Sequence, residues 1–142
     1  NVVFDDGSLS LEDIKLLDPQ SGEATNQLNW GEDLSLYFSF KLNRTFQESP
    51  IFKIIIFDKE QRPVAILKEN DKNETIAIKN NIIQFVVSHK NIQLSKGVYT
   101  LNLLVAEGRI QAPLLRTNGI LTFQIIHEDE IWPPFLLESS FT

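Results

Sequence analysis

An all-β fold is what this sequence predicts, and three observations predict it. Apolar residues recur at every second position in several separate runs. Clusters of turn-forming residues divide those runs. No stretch sustains a helical period. Alternate side chains of a strand point to opposite faces, so a period of two marks a half-buried strand. Short strands at regular spacing, punctuated by turns, predict a sandwich or barrel of about eight strands.

Taken in order, the first punctuation is Asp18-Pro19-Gln20-Ser21-Gly22, where Asp, Pro and Gly each favour a turn for a different backbone reason. Leu34, Leu36, Phe38, Phe40 and Leu42 then alternate with Ser35, Tyr37, Ser39 and Lys41. The first set faces the core and the second faces outward. Ile51 to Phe57 is apolar nearly throughout, with Phe52, Ile54 and Ile56 read as inward and Lys53, Ile55 and Phe57 as outward. Asp58 to Pro63 links this strand to a short one over Val64 to Leu67, and the polar stretch Lys68 to Thr75 reads as a long loop. Ile83, Phe85 and Val87 alternate again, and Ser88 to Ser95 is the best candidate for a short helix or turn. Tyr99, Leu101, Leu103 and Val105 form the next inward set. Asn118-Gly119 reads as a turn before Leu121, Phe123 and Ile125. From Glu128 the character changes, and the apolar segment Ile131-Trp132-Pro133-Pro134-Phe135-Leu136-Leu137 needs a surface to cover, on this chain or on a neighbour.

A chain of 142 residues fits a single domain. Nothing approaches the ~20 consecutive apolar residues of a membrane-spanning helix. The net charge of −6, without a basic stripe, argues against nucleic acid. There are no cysteines, hence no disulfide framework, which points toward the cytoplasm. No methionine stands at position 1 and no signal-peptide pattern follows, so a module cut from a longer chain is expected.

Catalytic patterns are missing. The sequence has no glycine-rich phosphate loop and no GxSxG elbow. His89 and His127 have no partner at metal-ligand spacing and read as surface residues. Asp5-Asp6 and Glu128-Asp129-Glu130 sit at element ends, where charges are usually just solvated; the placed carboxylate pair of a glycosidase is not evident. Asp71 and Asn73 echo the start of a calcium loop, but its glycine and closing glutamate are missing. Asn43-Arg44-Thr45 and Asn73-Glu74-Thr75 are glycosylation sequons, a pattern that arises readily by chance in an Asn-rich chain. The expectation is a binding module with no cofactor, no metal and no catalysis.

Two outward faces can hold a ligand. The first centres on Tyr37, flanked by Ser35, Ser39 and Lys41, with Asp13, Lys15, Gln84, Val86 and Ser88 as expected sheet neighbours. An exposed aromatic ring can stack on a sugar ring, while hydroxyls and amides serve the sugar's hydroxyl groups. The competing reading makes Tyr37 simply a good strand former on a solvated face. The carbohydrate-binding candidates are Tyr37, Ser35, Ser39, Lys15, Gln84 and Val86. The second face carries Lys53, Ile55, Phe57, Thr100, Asn102, Leu104, Thr122, Gln124 and Ile126. It is more apolar than a free surface, which suggests cover by a partner chain or by the Trp132 to Leu137 tail.

A family resemblance runs through most of the chain. Asp18-Pro19-Gln20-Ser21-Gly22, Trp30-Gly31-Glu32-Asp33-Leu34, Pro50-Ile51-Phe52 through Phe57-Asp58, Leu94-Ser95-Lys96-Gly97-Val98-Tyr99-Thr100-Leu101 and Leu121-Thr122-Phe123-Gln124-Ile125 occur in this order. The series resembles the C-terminal domain of Wzt, the nucleotide-binding subunit of O-antigen polysaccharide ABC exporters. The resemblance implies an Ig-like or jelly-roll antiparallel β-sandwich fused after an ATPase domain, acting in the cytoplasm at the inner membrane with the exporter's transmembrane subunit. It implies recognition of the non-reducing, often capped, end of an O-antigen polysaccharide. It also implies a homodimer that exchanges its C-terminal strand, here residues 129–142. A dimerisation module without a sugar site, and an extracellular Ig-like adhesin domain, are the alternatives.

Overall fold

The alternating runs become strands in the computed structural model, which describes residues 1–69, 76–108 and 110–142. Among those residues there is no helix, and the strands are β1 (Val2–Asp5), β2 (Leu9–Leu17), β3 (Ala24–Thr25), β4 (Gln27–Asn29), β5 (Leu34–Leu42), β6 (Pro50–Phe57), β7 (Pro63–Lys68), β8 (Ile78–Lys79), β9 (Ile82–His89), β10 (Gly97–Glu107) and β11 (Ala112–Ile126). Eight have four residues or more; β3, β4 and β8 are the short additions that no periodicity could reveal. They form two sheets. One runs β1-β11-β10-β6-β7, with β4 also paired to β11, and the other runs β3-β2-β5-β9-β8. Every pairing is antiparallel except β4 with β11.

The core lies between the sheets and is built from the inward sets. Leu36, Phe38 and Phe40 of β5 are fully buried, as are Ile54 and Ile56 of β6, Leu101 and Leu103 of β10, and Phe123 and Ile125 of β11. Phe52 joins the sheets by packing on Phe40 and Phe85, each at a centroid distance of 4.8 Å. Tilted aromatic pairs at this distance add to plain area burial.

Two expected turns form as predicted. Asp18 Oδ1 accepts hydrogen bonds from the Gln20 and Ser21 amides, which hold its carboxyl below the ordinary range. Asp58 Oδ1 does the same for the Arg62 and Glu60 amides between β6 and β7. Two expectations are corrected. Asn118-Gly119 is no turn between strands; it is a bulge inside β11, where Gly119 takes a φ of +63°. Residues 88–95 form no helix; β9 continues to His89 and Leu94 makes an isolated bridge to Phe135. The calcium-loop echo at Asp71 and Asn73, and the second sequon, lie outside the described residues. At the first sequon, Asn43 Nδ2 donates to Gly7 O and Ser10 Oγ, and Arg44 pairs with Glu107 at 2.7 Å.

Candidate functional site

Strand register decides which side chains meet on the outer face of the five-stranded sheet. Tyr37 of β5 stands opposite Lys15 of β2 and Val86 of β9, forming one row across three strands. Ser39 stands between Asp13 and Gln84 in the next row, and Ser35 faces Ser88 on the other side. Lys41 lies between Ser10 and Ile82. All six candidate residues, Lys15, Ser35, Tyr37, Ser39, Gln84 and Val86, therefore share one face.

The ring of Tyr37 is half-buried, and Lys15 Nζ sits 5.6 Å from its centroid. The same ammonium is 3.4 Å from Asp13 Oδ2, so it is steered between a π-face and a carboxylate. Ser39 is only 8% exposed although it points outward, because the longer side chains beside it overhang a small residue. It forms a floor rather than a projection. Ser35 and Ser88 hydroxyls are 3.4 Å apart. Among the described residues, the side chains of Tyr37, Ser39 and Gln84 make no hydrogen bond within the chain, so their donors and acceptors are open to a ligand.

Two shallow depressions flank this row. One, about 430 Å³, lies beside Tyr37 and Lys15 and is walled by Leu17, Gly22, Glu23 and Ala24 from the β2–β3 turn. The other, about 400 Å³, joins Gln84 and Ile82 to Ala77, Lys79 and Asn80 of the β8–β9 hairpin. Five strands about 4.8 Å apart span roughly 19 Å, enough for several pyranose rings laid end to end. The wall residues were missed from sequence because they belong to turns and to the strand ends beside them, such as Leu17, Ala24 and Lys79. One signal could have placed the second wall: Asn80-Asn81, whose φ angles of 53° and 61° are those of a two-residue hairpin turn.

The second face offers less. Lys53 Nζ donates to Gln111 Oε1, and the Gly119 amide donates to Asn102 Oδ1, so two of its polar groups are already engaged. Ile55, Phe57, Leu104 and Ile126 are half-buried there, between flanking strands.

The tail after β11 folds back onto its own chain. Ser95 donates from its amide to Pro134 O and from Oγ to Pro133 O, the Leu136 amide donates to Gln93 O, and Trp30 Nε1 donates to Leu136 O at 3.0 Å. His127 is half-buried rather than a plain surface residue, because its ring packs edge-on to Trp30 at 5.5 Å. Trp132 itself covers nothing and is 93% exposed. Glu128, Asp129 and Glu130 are exposed, and among the described residues no three His, Cys, Asp or Glu side chains converge as a metal site would require.

The sequence model of the Wzt C-terminal domain matches residues 2–132 of this chain. The chain belongs to the Wzt C-terminal domain family. A crystal structure of the C-terminal domain of Wzt superposes with a TM-score of 0.84, covering 98% of this chain and 86% of that one at 17% identity. A Niemann-Pick type C2 protein from the Japanese carpenter ant superposes with a TM-score of 0.54, covering 87% of this chain and 98% of that one at 12% identity. These two likenesses are likenesses of fold. No curated protein matches the chain. Membership in the Wzt family carries its general setting: a non-catalytic domain of a cytoplasmic component of an O-antigen ABC transporter, which handles polysaccharide.

Proposed function

We propose that the face around Tyr37 binds the non-reducing terminus of an O-antigen polysaccharide and so commits a finished chain to export. One observation carries this reading. The register sets Lys15, Tyr37 and Val86 in one row beside Ser39 and Gln84, with the polar groups of Tyr37, Ser39 and Gln84 unused by the fold. The Tyr37 ring and the Val86 side chain would lie against the C–H face of a terminal sugar. Ser35, Gln84 and the Tyr37 hydroxyl would serve its hydroxyl groups, while recessed Ser39 leaves room for the ring. A negatively charged cap would compete with Asp13 for Lys15, and their pair at 3.4 Å is exposed enough to yield at little cost. In this reading the chain acts as part of a longer, ATPase-bearing protein at the inner membrane, beside the transmembrane subunit, and it pairs as a homodimer through residues 129–142.

Tyr37→Ala tests the site. The ring is half-buried on a solvated face, so the variant should keep its fold. Removing one stacked aromatic should weaken binding of the purified polysaccharide about tenfold or more in calorimetric titration. Unchanged affinity removes Tyr37 from the site.

The alternative, a dimerisation module without a sugar site, draws on the six-stranded sheet. Ile66 is 50% exposed there and Val98 43%, and both would gain from cover by a second chain.

A further inference from the structure

A third cleft lies away from Tyr37. It measures about 510 Å³, and its lining comes from the β6–β7 turn, the first residues of β10, Gln124 of β11 and the tail. None of its lining residues belongs to the five-stranded sheet. Trp132 stands at its wall with 93% of its surface free, and Val98 beside it is 43% exposed. A large aromatic ring left this open on a folded domain calls for an explanation, because burial is what such a ring ordinarily contributes.

The ring is open, yet its mounting is rigid. Pro133 and Pro134 follow Trp132 directly, and their fixed φ angles stiffen the backbone that carries it. Ser95, itself buried to 2% exposure, holds both prolines by accepting none of their groups and donating to both carbonyls, at 2.6 Å from Oγ and 2.9 Å from the amide. The backbone that carries the indole is thus braced, and chiefly the ring's own side-chain torsions are left to order on binding.

Charge on the wall identifies the kind of ligand. Arg62 pairs with Asp58 at 2.8 Å and approaches Glu60 at 3.9 Å, and Lys96 pairs with Glu130 at 3.2 Å. Lys59 has no ion-pair partner among the described residues. The lining as a whole balances three cations, Lys59, Arg62 and Lys96, against three carboxylates, Asp58, Glu60 and Glu130, so an anion would gain little net attraction. A polyhydroxylated, uncharged ligand suits such a wall, because each hydroxyl can donate to a carboxylate and accept from an ammonium or guanidinium.

We propose that this cleft is a second carbohydrate-contacting site, which stacks an uncharged internal segment of the glycan on Trp132. It rests on the family's handling of polysaccharide and does not require the Tyr37 site. Exchange of the tail between protomers would rebuild the same wall with a partner's residues, since an exchanged element makes the same contacts in trans.

The test uses the whole chain and internal repeat-unit fragments cut from the O-polysaccharide of the strain that encodes it, which lack the natural terminus. The two indole N–H resonances of Trp30 and Trp132 are followed by NMR. The expected result is a saturable shift of the Trp132 resonance with little movement of the Trp30 resonance, which is already hydrogen-bonded to Leu136 O. Trp132→Ala should weaken the fragments about tenfold and Trp132→Tyr should restore most of the affinity, while in Tyr37→Ala the Trp132 resonance should still shift over the same concentration range. Preservation of the Trp30 resonance in Trp132→Ala verifies the fold. A Trp132 resonance that ignores the fragments, or that moves only with protein concentration, overturns the proposal; the latter would mean a second copy fills the cleft. Equal response to inorganic phosphate would overturn the selection for uncharged ligands. A Tyr37→Ala chain whose affinity for the whole polysaccharide is unchanged overturns the terminus reading while the Trp132 shift stands, and a Trp132 resonance that ignores the fragments overturns this one while the Tyr37 effect stands, so the two readings fail separately.

Discussion

Tyr99 joins three levels of the structure through one side chain. Its ring stacks on Phe123 at 5.8 Å, and its hydroxyl donates to Ser95 O at 2.5 Å, beneath the anchor of the tail. Burial pushes its phenol up to about 12 from an ordinary 10.0, with a smaller contribution from the Asp58 charge. A folded value above the unfolded one means that the stabilising contribution is fully present below pH 10.0. It is lost as pH rises toward about 12, because the unfolded chain ionises first. Denaturant melts of Tyr99→Phe against the parent should therefore differ in two ways. The variant should be weaker by about 1 kcal/mol at neutral pH, where a hydrogen bond is lost. The difference should shrink above pH 10.0, since phenylalanine has no proton to lose. A constant difference across that range would mean that Tyr99 ionises alike in both states. Tyr37 stands in contrast at the same scale. Its alternation with Leu36 and Phe38 was enough to turn it outward, but alternation says nothing about its partners across the sheet.

At the scale of elements, β11 is where pattern reading went astray. Asn118-Gly119 has the chemistry of a hairpin turn, and the sequence places strand-like residues on both sides. The strand nevertheless runs on for 15 residues, because β10 offers it a partner along its whole length. The extra residues are absorbed as an outward bulge: the pairing steps from Leu101–Leu121 to Leu103–Thr117, and Asn102 Oδ1 accepts from the Gly119 amide. Gly119 keeps its φ of +63°, and a Cβ there would meet nothing within 4 Å. Gly119→Val should therefore destabilise the domain by about 1–2 kcal/mol through backbone conformation alone. Gly119→Asn, which tolerates this region better, should cost less. Chemical denaturation midpoints measure both, and equal losses would point to packing instead. The bulge also allows β11 to serve two further strands, β1 along its first half and β4 along its second.

The whole molecule is a sandwich whose rim is closed by its own tail. Residues 129–142 hold on through Ser95, Gln93 and Trp30 and, among the described residues, form one isolated bridge, Leu94 with Phe135. A terminal segment held in this way can pass from one protomer to another at low cost because the same contacts re-form in trans, which supports the proposed exchange. A chain ended at Glu130 is expected to run as a monomer in light scattering while keeping its far-ultraviolet strand signal; a dimer that survives the cut argues against exchange. Much of this architecture was legible in the sequence. The period of two selected the strands, and it divided core residues such as Phe38, Phe40, Ile54 and Leu103 from the outward set around Tyr37, because a strand admits only two faces. The order of turns and motifs sufficed for the family. Only the tertiary structure decided which strands are neighbours, and so which side chains form the row of Lys15, Tyr37 and Val86. It alone showed the turns that wall that row, the bulge at Gly119, and the tail that leaves Trp132 in the open. Alternation is a local consequence of the backbone, whereas register, walls and cover depend on pairings between residues far apart in the chain, which no local period encodes.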